Sequence, residues 1–213
     1  MIVLKIFLFI ALCLLSSCSD NASPSHNHEM QVIASRDEGS SLERYALYRI
    51  RVPPEWKRVD ATAGESLQDT TKSLCEFLIE EGNERIKITI HNFPSHAIDD
   101  RIPPMAQISR WKRQFDSIDP TYQMTAPQSF SGYTGFVYEG KGRISDEDIM
   151  VMGWTMQLGP DHYRVLSRPL FPLQMRADIT IKVIGPSNLV VRHRDEIFTF
   201  ARSFELIEEI PAG

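Results

Sequence analysis

Apolar and polar residues alternate with period two along much of this chain. Tyr48, Ile50 and Val52 share one side of a short segment, with Arg49 and Arg51 on the other; Ile86, Ile88 and Ile90 likewise oppose Lys87, Thr89 and His91. Such alternation predicts sheet strands with one buried and one more polar face. SLCEFLIE and RIKITIHNF flank the turn-like EGNE and predict a hairpin. Further strands are predicted in GYTGFVYEG, DIMVMGWTMQLG, HYRVLSR and ADITIKVIG, with GKGRISDE and GPD as turns between them.

Two stretches change to helical spacing. After Pro103-Pro104, the residues Met105, Ile108, Trp111 and Phe115 fall near one face. After Gly185-Pro186, Ser187 fits an N-cap, and Val190, Ile197, Ala201 and Phe204 recur along one side of a closing helix. Hairpins with two interspersed helices predict an α+β domain, an antiparallel sheet with flanking helices. We expect it to occupy residues 43–210.

The start of the chain follows a different pattern. MIVLKIFLFIALCLL carries a lone charge at Lys5 followed by an apolar run that stops at Ser16. That is the layout of an export signal, and it falls short of the roughly 20 apolar residues a spanning helix needs. Leu15-Ser16-Ser17-Cys18 resembles the bacterial lipobox, in which the cysteine thiol is acylated and the peptide cut just before it. The resemblance implies that residues 1–17 are a cleaved lipoprotein signal peptide and that Cys18 is the lipidation site. Two or more acyl chains hold a protein on a bilayer, so no spanning helix is needed. Ser19, where the family's inner-membrane retention signal is often Asp, favours the outer membrane over the inner one in a diderm cell. Residues 18–42, rich in Ser, Asn, Asp and His, read as the lipidated cysteine and a flexible tether.

Charge and cysteine count narrow the class further. With 28 acidic and 23 basic residues the chain has net charge −5, and a nucleic-acid binder would more often show a basic surplus. Of three cysteines, the lipobox resemblance implies that Cys13 is removed with the signal and Cys18 is lipidated, which would leave Cys75 without an intramolecular disulfide partner.

Few constellations suggest chemistry, and each has a plainer reading. His26 and His28 beside Glu29 supply two or three potential ligands, fewer than the four a structural zinc site uses; a solvated tether accounts for them. Cys75 shares a strand face with Phe77 and Ile79 and is expected to be buried and inert. Met150, Met152, Trp154, Met156 and Leu158 alternate along one strand as a core stripe, or, if exposed, as an adaptable binding face. Ser145-Asp146-Glu147-Asp148 lacks the ligand spacing of a calcium loop and reads as an acidic hairpin tip. Arg110, Lys112 and Arg113, and then Arg192, His193 and Arg194, form two small basic patches. These would rest on anionic headgroups or simply be solvated. FSGYTGF marks a bulge or turn, and Asp161-His162 a turn. The familiar nucleophile, zinc-protease, phosphate-loop and Cys-x-x-Cys motifs do not occur in the sequence.

Ile50-Arg51-Val52-Pro53-Pro54-Glu55-Trp56 is similar to the opening of PsbP-like domains, and Ala201-Arg202-Ser203-Phe204 to their closing helix. This resemblance spans about residues 45–206. It implies a twisted antiparallel sheet sandwiched by helices (an α/β/α arrangement), and a binding or assembly module with no catalytic residues to carry over. The segment Leu170-Phe171-Pro172-Leu173 departs from that pattern. The expected function is a non-catalytic, membrane-anchored bacterial lipoprotein acting as an envelope binding, adaptor or assembly module. Its expected partners are membrane lipid through Cys18 and an envelope protein, with no nucleic acid, cofactor or metal. The alternatives are a lipoprotein carrying a small ligand or lipid and, further off, a hydrolytic enzyme.

Overall fold

A computed structural model describes residues 28–35, 45–60, 70–168 and 171–207. Cys18 and the signal segment lie outside the described residues. Ten strands occur among them: β1 (Glu29–Ala34), β2 (Ala46–Val52), β3 (Lys57–Asp60), β4 (Cys75–Glu81), β5 (Glu84–Phe93), β6 (Ser117–Phe130), β7 (Tyr133–Ile144), β8 (Glu147–Leu158), β9 (Asp178–Pro186) and β10 (Glu205–Leu206). The helices are α1 (Pro104–Lys112), α2 (Pro160–Leu166), α3 (Ser187–Arg192) and α4 (Arg194–Arg202). Seven strands form an antiparallel sheet in the order β3-β4-β5-β9-β8-β7-β6, and three form a small sheet, β1-β2-β10. The fold is therefore α+β, as expected: a large antiparallel sheet with flanking helices.

The alternation in the sequence becomes two unlike faces of this sheet. On the first face, Ile86, Ile88 and Ile90 of β5 join Cys75, Phe77, Met152, Trp154, Ile181 and Val183 in the principal core. The small sheet and α4 close that core. Phe200 lies between Trp56 and Phe77, with ring centroids 5.0 and 5.2 Å away, and Phe204 meets Tyr48 at 4.6 Å. Aromatic pairs at such distances add directional attraction to their burial. Among the described residues the second face is closed over its β7-β8 half alone, where α1 packs Ile108 and Trp111 against Tyr138 and Val151. Gly153 makes this approach possible, since a Cβ there would overlap the Trp111 ring. Covered on both sides, β8 is buried from Ile149 to Met156, so its apolar run is nearly continuous.

Tight turns set the hairpin registers. Ser131 and Gly132, and again Ser145 and Asp146, have positive φ at both central positions, as a type I′ turn requires. Gly82, with φ of 59°, occupies the first turn position between β4 and β5.

Several expectations need correction. The tether expected over residues 18–42 contributes β1 at residues 29–34, so folded structure begins before residue 43. There β2 supplies a hydrogen-bonding edge and Ile33 enters the core, while Met30 and Val32 face outward and blur the pattern. HYRVLSR is helical. Gly159 stands at the N-cap and Pro160 at the first helical position, where its missing N–H costs nothing, and Tyr163 and Leu166 are buried one turn apart. GPD thus starts a helix, and GKGRI belongs to β7, leaving a two-residue turn at Ser145-Asp146. Ser187 is the first residue of α3, behind Pro186 at the N-cap, and the closing helix breaks into α3 and α4 at His193. The edge strand β6 escaped prediction because Pro120 and Pro127 interrupt it. Edge strands tolerate proline, and the register shift between Ile118 and Gln123 absorbs Pro120.

Candidate functional site

The open half of the second sheet face forms a groove of 570 Å³ between α1 and strands β4, β5 and β9. Strand parity dictates its chemistry. The residues that alternate with the core isoleucines of β5 are Lys87, Thr89 and His91, and those that alternate with the core positions of β9 are Thr180 and Lys182. Register pairing sets Lys182 opposite Thr89 and Lys87 opposite Ile184, which puts the two lysines on neighbouring strands. Helix α1 contributes Arg110 to the rim and Trp111 to the wall, and Gln114 follows just beyond it.

Cations outnumber carboxylates in this groove. Its lining holds Lys72, Lys87, Arg110 and Lys182 against the single carboxylate of Glu76, on a chain of net charge −5. Glu76 is committed, since Lys87 Nζ lies 2.8 Å from its Oε1. Lys182 Nζ donates to the neutral Gln114 Oε1 at 2.5 Å. Burial, then the charge of Lys87, pushes the Lys182 ammonium below its ordinary pKa. Arg110 has no ion pair among the described residues. Among the described residues, Lys182 is thus a partly desolvated cation with no carboxylate beside it.

Other charged clusters are internally satisfied. Asp178 accepts hydrogen bonds from Arg101, from Gln157 Nε2 at 3.1 Å and from the Leu158 N–H at 3.2 Å, and Arg101 also donates to the Leu158 carbonyl at 2.8 Å. Burial raises the Asp178 carboxyl and Arg101 opposes the rise. Both of its oxygens are used to join the ends of β8 and β9. Glu139, almost fully buried on β7, takes a two-pronged contact from Arg194 at 2.8 and 2.7 Å, pinning the start of α4 to the sheet. Neither carboxylate carries a local sequence signal.

The residues singled out from the sequence disperse. Met150, Met152, Trp154, Met156 and Leu158 are all buried on the core face, so the exposed alternative for this stripe does not hold. Cys75 is buried, and desolvation raises its thiol to about 12, as an inert residue requires. Ser145-Asp146 is the expected tight turn, and among the described residues no group of acidic, histidine or cysteine side chains could hold a metal ion. Ser131-Gly132 of FSGYTGF is likewise a turn. Asp161 and His162 lie on α2, where Asp161 pairs with Arg164 at 2.6 Å. His26 lies outside the described residues.

The two basic patches have different fates. Of the first, Arg110 reaches the groove, while Lys112 sits 5.2 Å from the centre of the Tyr138 ring. The second is absorbed in ion pairs. Arg192 and His193 both meet Glu81 of the β4-β5 hairpin, at 2.7 and 2.6 Å, and His193 also meets Glu196 at 3.0 Å. Burial works against the His193 imidazolium, but the hydrogen bonds to Glu196 and Glu81 outweigh it and raise its pKa. The same contacts lower Glu81. Sequence reading noted Lys87 only as the polar side of a strand and passed over Lys72 and Lys182. Their polar alternation was visible; that β5 and β9 lie side by side was not.

No protein-family model matches the chain, and no curated protein does. Among solved structures the chain is similar to LpqN, involved in cell envelope biogenesis of Mycobacterium tuberculosis. There the TM-score is 0.48 and identity 9%, over 84% of this chain and 91% of that one. It is also similar to cyanobacterial PsbP (CyanoP) from Synechocystis sp. PCC 6803, with TM-score 0.45 and 13% identity over 90% and 98% of the two chains. A protein of unknown function, PA94 from Pseudomonas aeruginosa, gives TM-score 0.42 and 9% identity over 86% and 99%.

Proposed function

We propose that this protein is a lipid-anchored bacterial envelope lipoprotein that acts as a non-catalytic binding module, with the groove between α1 and strands β4, β5 and β9 as its recognition surface. The observation that carries this reading is the asymmetry of the large sheet. One face is sealed by aromatic packing, while half of the other is left as a concavity of 570 Å³ lined by four cations and one carboxylate. A volume of this size is in the range of binding pockets, roughly 300–1,000 Å³. A partly desolvated cation with no carboxylate beside it lowers stability; Lys182 is one among the described residues, so the groove is understandable as a site for a partner bearing the opposite charge.

The anchor rests on the sequence of residues 15–18, and no helix among the described residues is long and apolar enough to cross a membrane. Acylation at Cys18 would hold the groove within reach of the envelope surface and of partners confined to it. A photo-crosslinking residue placed at Thr89, inside the groove, tests the reading in living cells beside a control at Asp161 on α2. The reading expects a discrete adduct from Thr89 that is lost when Lys182 is replaced by Gln, and none from Asp161. Equal adducts from both positions, or none from Thr89, would refute it. In the same cells Cys18→Ala is expected to abolish incorporation of labelled fatty acid.

A further inference from the structure

We infer that the groove binds phosphate groups, with Lys87, Lys182 and Arg110 as the cationic contacts. The inference rests on the groove being the recognition surface and adds the chemical class of its ligand. Two lysines stand on neighbouring strands in the groove: Lys87 is paired with Glu76, the one carboxylate of the lining, and the half-buried Lys182 is held by Gln114. Lys182 donates to the neutral Gln114, and among the described residues its charge has no counter-ion. An anion entering here would gain charge-assisted hydrogen bonds and relieve the repulsion between the lysines.

The donor set favours a phosphate over a carboxylate. A carboxylate is planar and best served by one arginine fork. Here the cationic donors come from different elements: ammonium groups from β5 and β9 and a guanidinium from α1, above a floor where Thr180 stands near Thr89, whose hydroxyl donates to the Lys182 carbonyl at 3.4 Å. Such a spread suits a tetrahedral anion whose oxygens accept from several sides, with lysines acting as compact point charges. Arg110 stands on the rim without an ion pair among the described residues, placed to meet a ligand as it enters. A phosphate of this kind is presented either by a lipid headgroup or by a soluble phosphate ester, and the contacts are the same for both.

The test is calorimetric titration of the full chain in non-ionic detergent with inorganic pyrophosphate. Saturable binding is expected, weakening as salt rises. Arg110→Gln and Lys182→Gln should each weaken it by about tenfold or more, as loss of a charge-assisted contact predicts. Lys141→Gln, on β7 opposite the core residue Met150 and so on the other sheet face, should not weaken it. Arg110 is exposed on its helix, so that variant keeps the test valid should Lys182→Gln fail to fold. Competition with glycerol phosphate and with micelles doped with phosphatidylglycerol then identifies the source. Stronger displacement by the doped micelles means a headgroup, and equal or stronger displacement by glycerol phosphate means a soluble ester. Absence of saturable binding, binding unchanged in Arg110→Gln, or equal binding of citrate would overturn the phosphate inference. If Thr89 still gave its specific adduct, the recognition surface would stand and only the ligand class would fall.

Discussion

The two faces of the large sheet come from the same strands yet are finished in opposite ways. Toward the small sheet and α4, Ile86, Ile88 and Ile90 of β5, the methionine-tryptophan stripe of β8 and Ile179, Ile181 and Val183 of β9 are apolar and buried, and aromatic rings interlock across the gap. Toward α1, the same strands present Val151, Gly153 and the Trp111 contact on one half, and Lys87, Thr89, Thr180 and Lys182 on the other. The difference separates two tasks. The closed face supplies the stability of the domain, and the half-open face carries charges that do little for stability and are available for recognition.

Substitutions can break or sharpen this contrast. The largest effect is expected at Phe200, fully buried between Trp56 and Phe77. Phe200→Ala should cost about 3–5 kcal/mol of unfolding free energy, read from chemical denaturation. A loss below about 1 kcal/mol would mean the closed face is not the stabilising one. Gly153→Ala should be next. Its methyl group must push Trp111, and α1 with it, off the sheet, at about 1–3 kcal/mol. That change should also distort the groove, so the thermal midpoint and pyrophosphate binding should fall together.

On the open face the sign reverses. Lys182→Met removes a half-buried charge repelled by Lys87, and stability should hold or rise by up to about 1 kcal/mol while binding is lost. A clear loss of stability would make Lys182 a structural residue. The smallest effect belongs to His193. Its pKa is raised above 6.5 in the folded state, so its contribution is fully present below pH 6.5 and fades as pH climbs through the raised value. With solvent screening this amounts to about a few tenths of a kcal/mol. Denaturation curves from pH 6 to 9 should show that slope, and His193→Gln should flatten it.

Much of the fold could be read from the chain because its strands obey strict parity. Ile86, Ile88 and Ile90 and the methionine stripe of β8 fall where their spacing puts them, and Val190, Ile197, Ala201 and Phe204 are buried although the helix expected to carry them breaks at His193 and ends at Arg202. The misreadings have local causes. Tyr163 and Val165 alternate as a strand would, but Gly159-Pro160 starts a helix there. Proline hid β6, and outward-facing Met30 and Val32 hid β1. The groove was legible only in pieces. Lys87, Arg110 and Lys182 are far apart in sequence, and what unites them is the β5-β9 pairing together with α1 crossing only the β7-β8 half of the sheet. Neither is encoded in any local pattern.

Lysine footprinting of the native chain tests the account most directly, by comparing the acylation rates of Lys87, Lys182 and, on the other sheet face, Lys141 in intact envelopes and after purification in detergent. An occupied recognition surface predicts that Lys87 and Lys182 are protected in the envelope and released on purification, while Lys141 reacts equally in both. Unchanged rates at Lys87 and Lys182 would contradict the central claim that the open sheet face is where this protein binds.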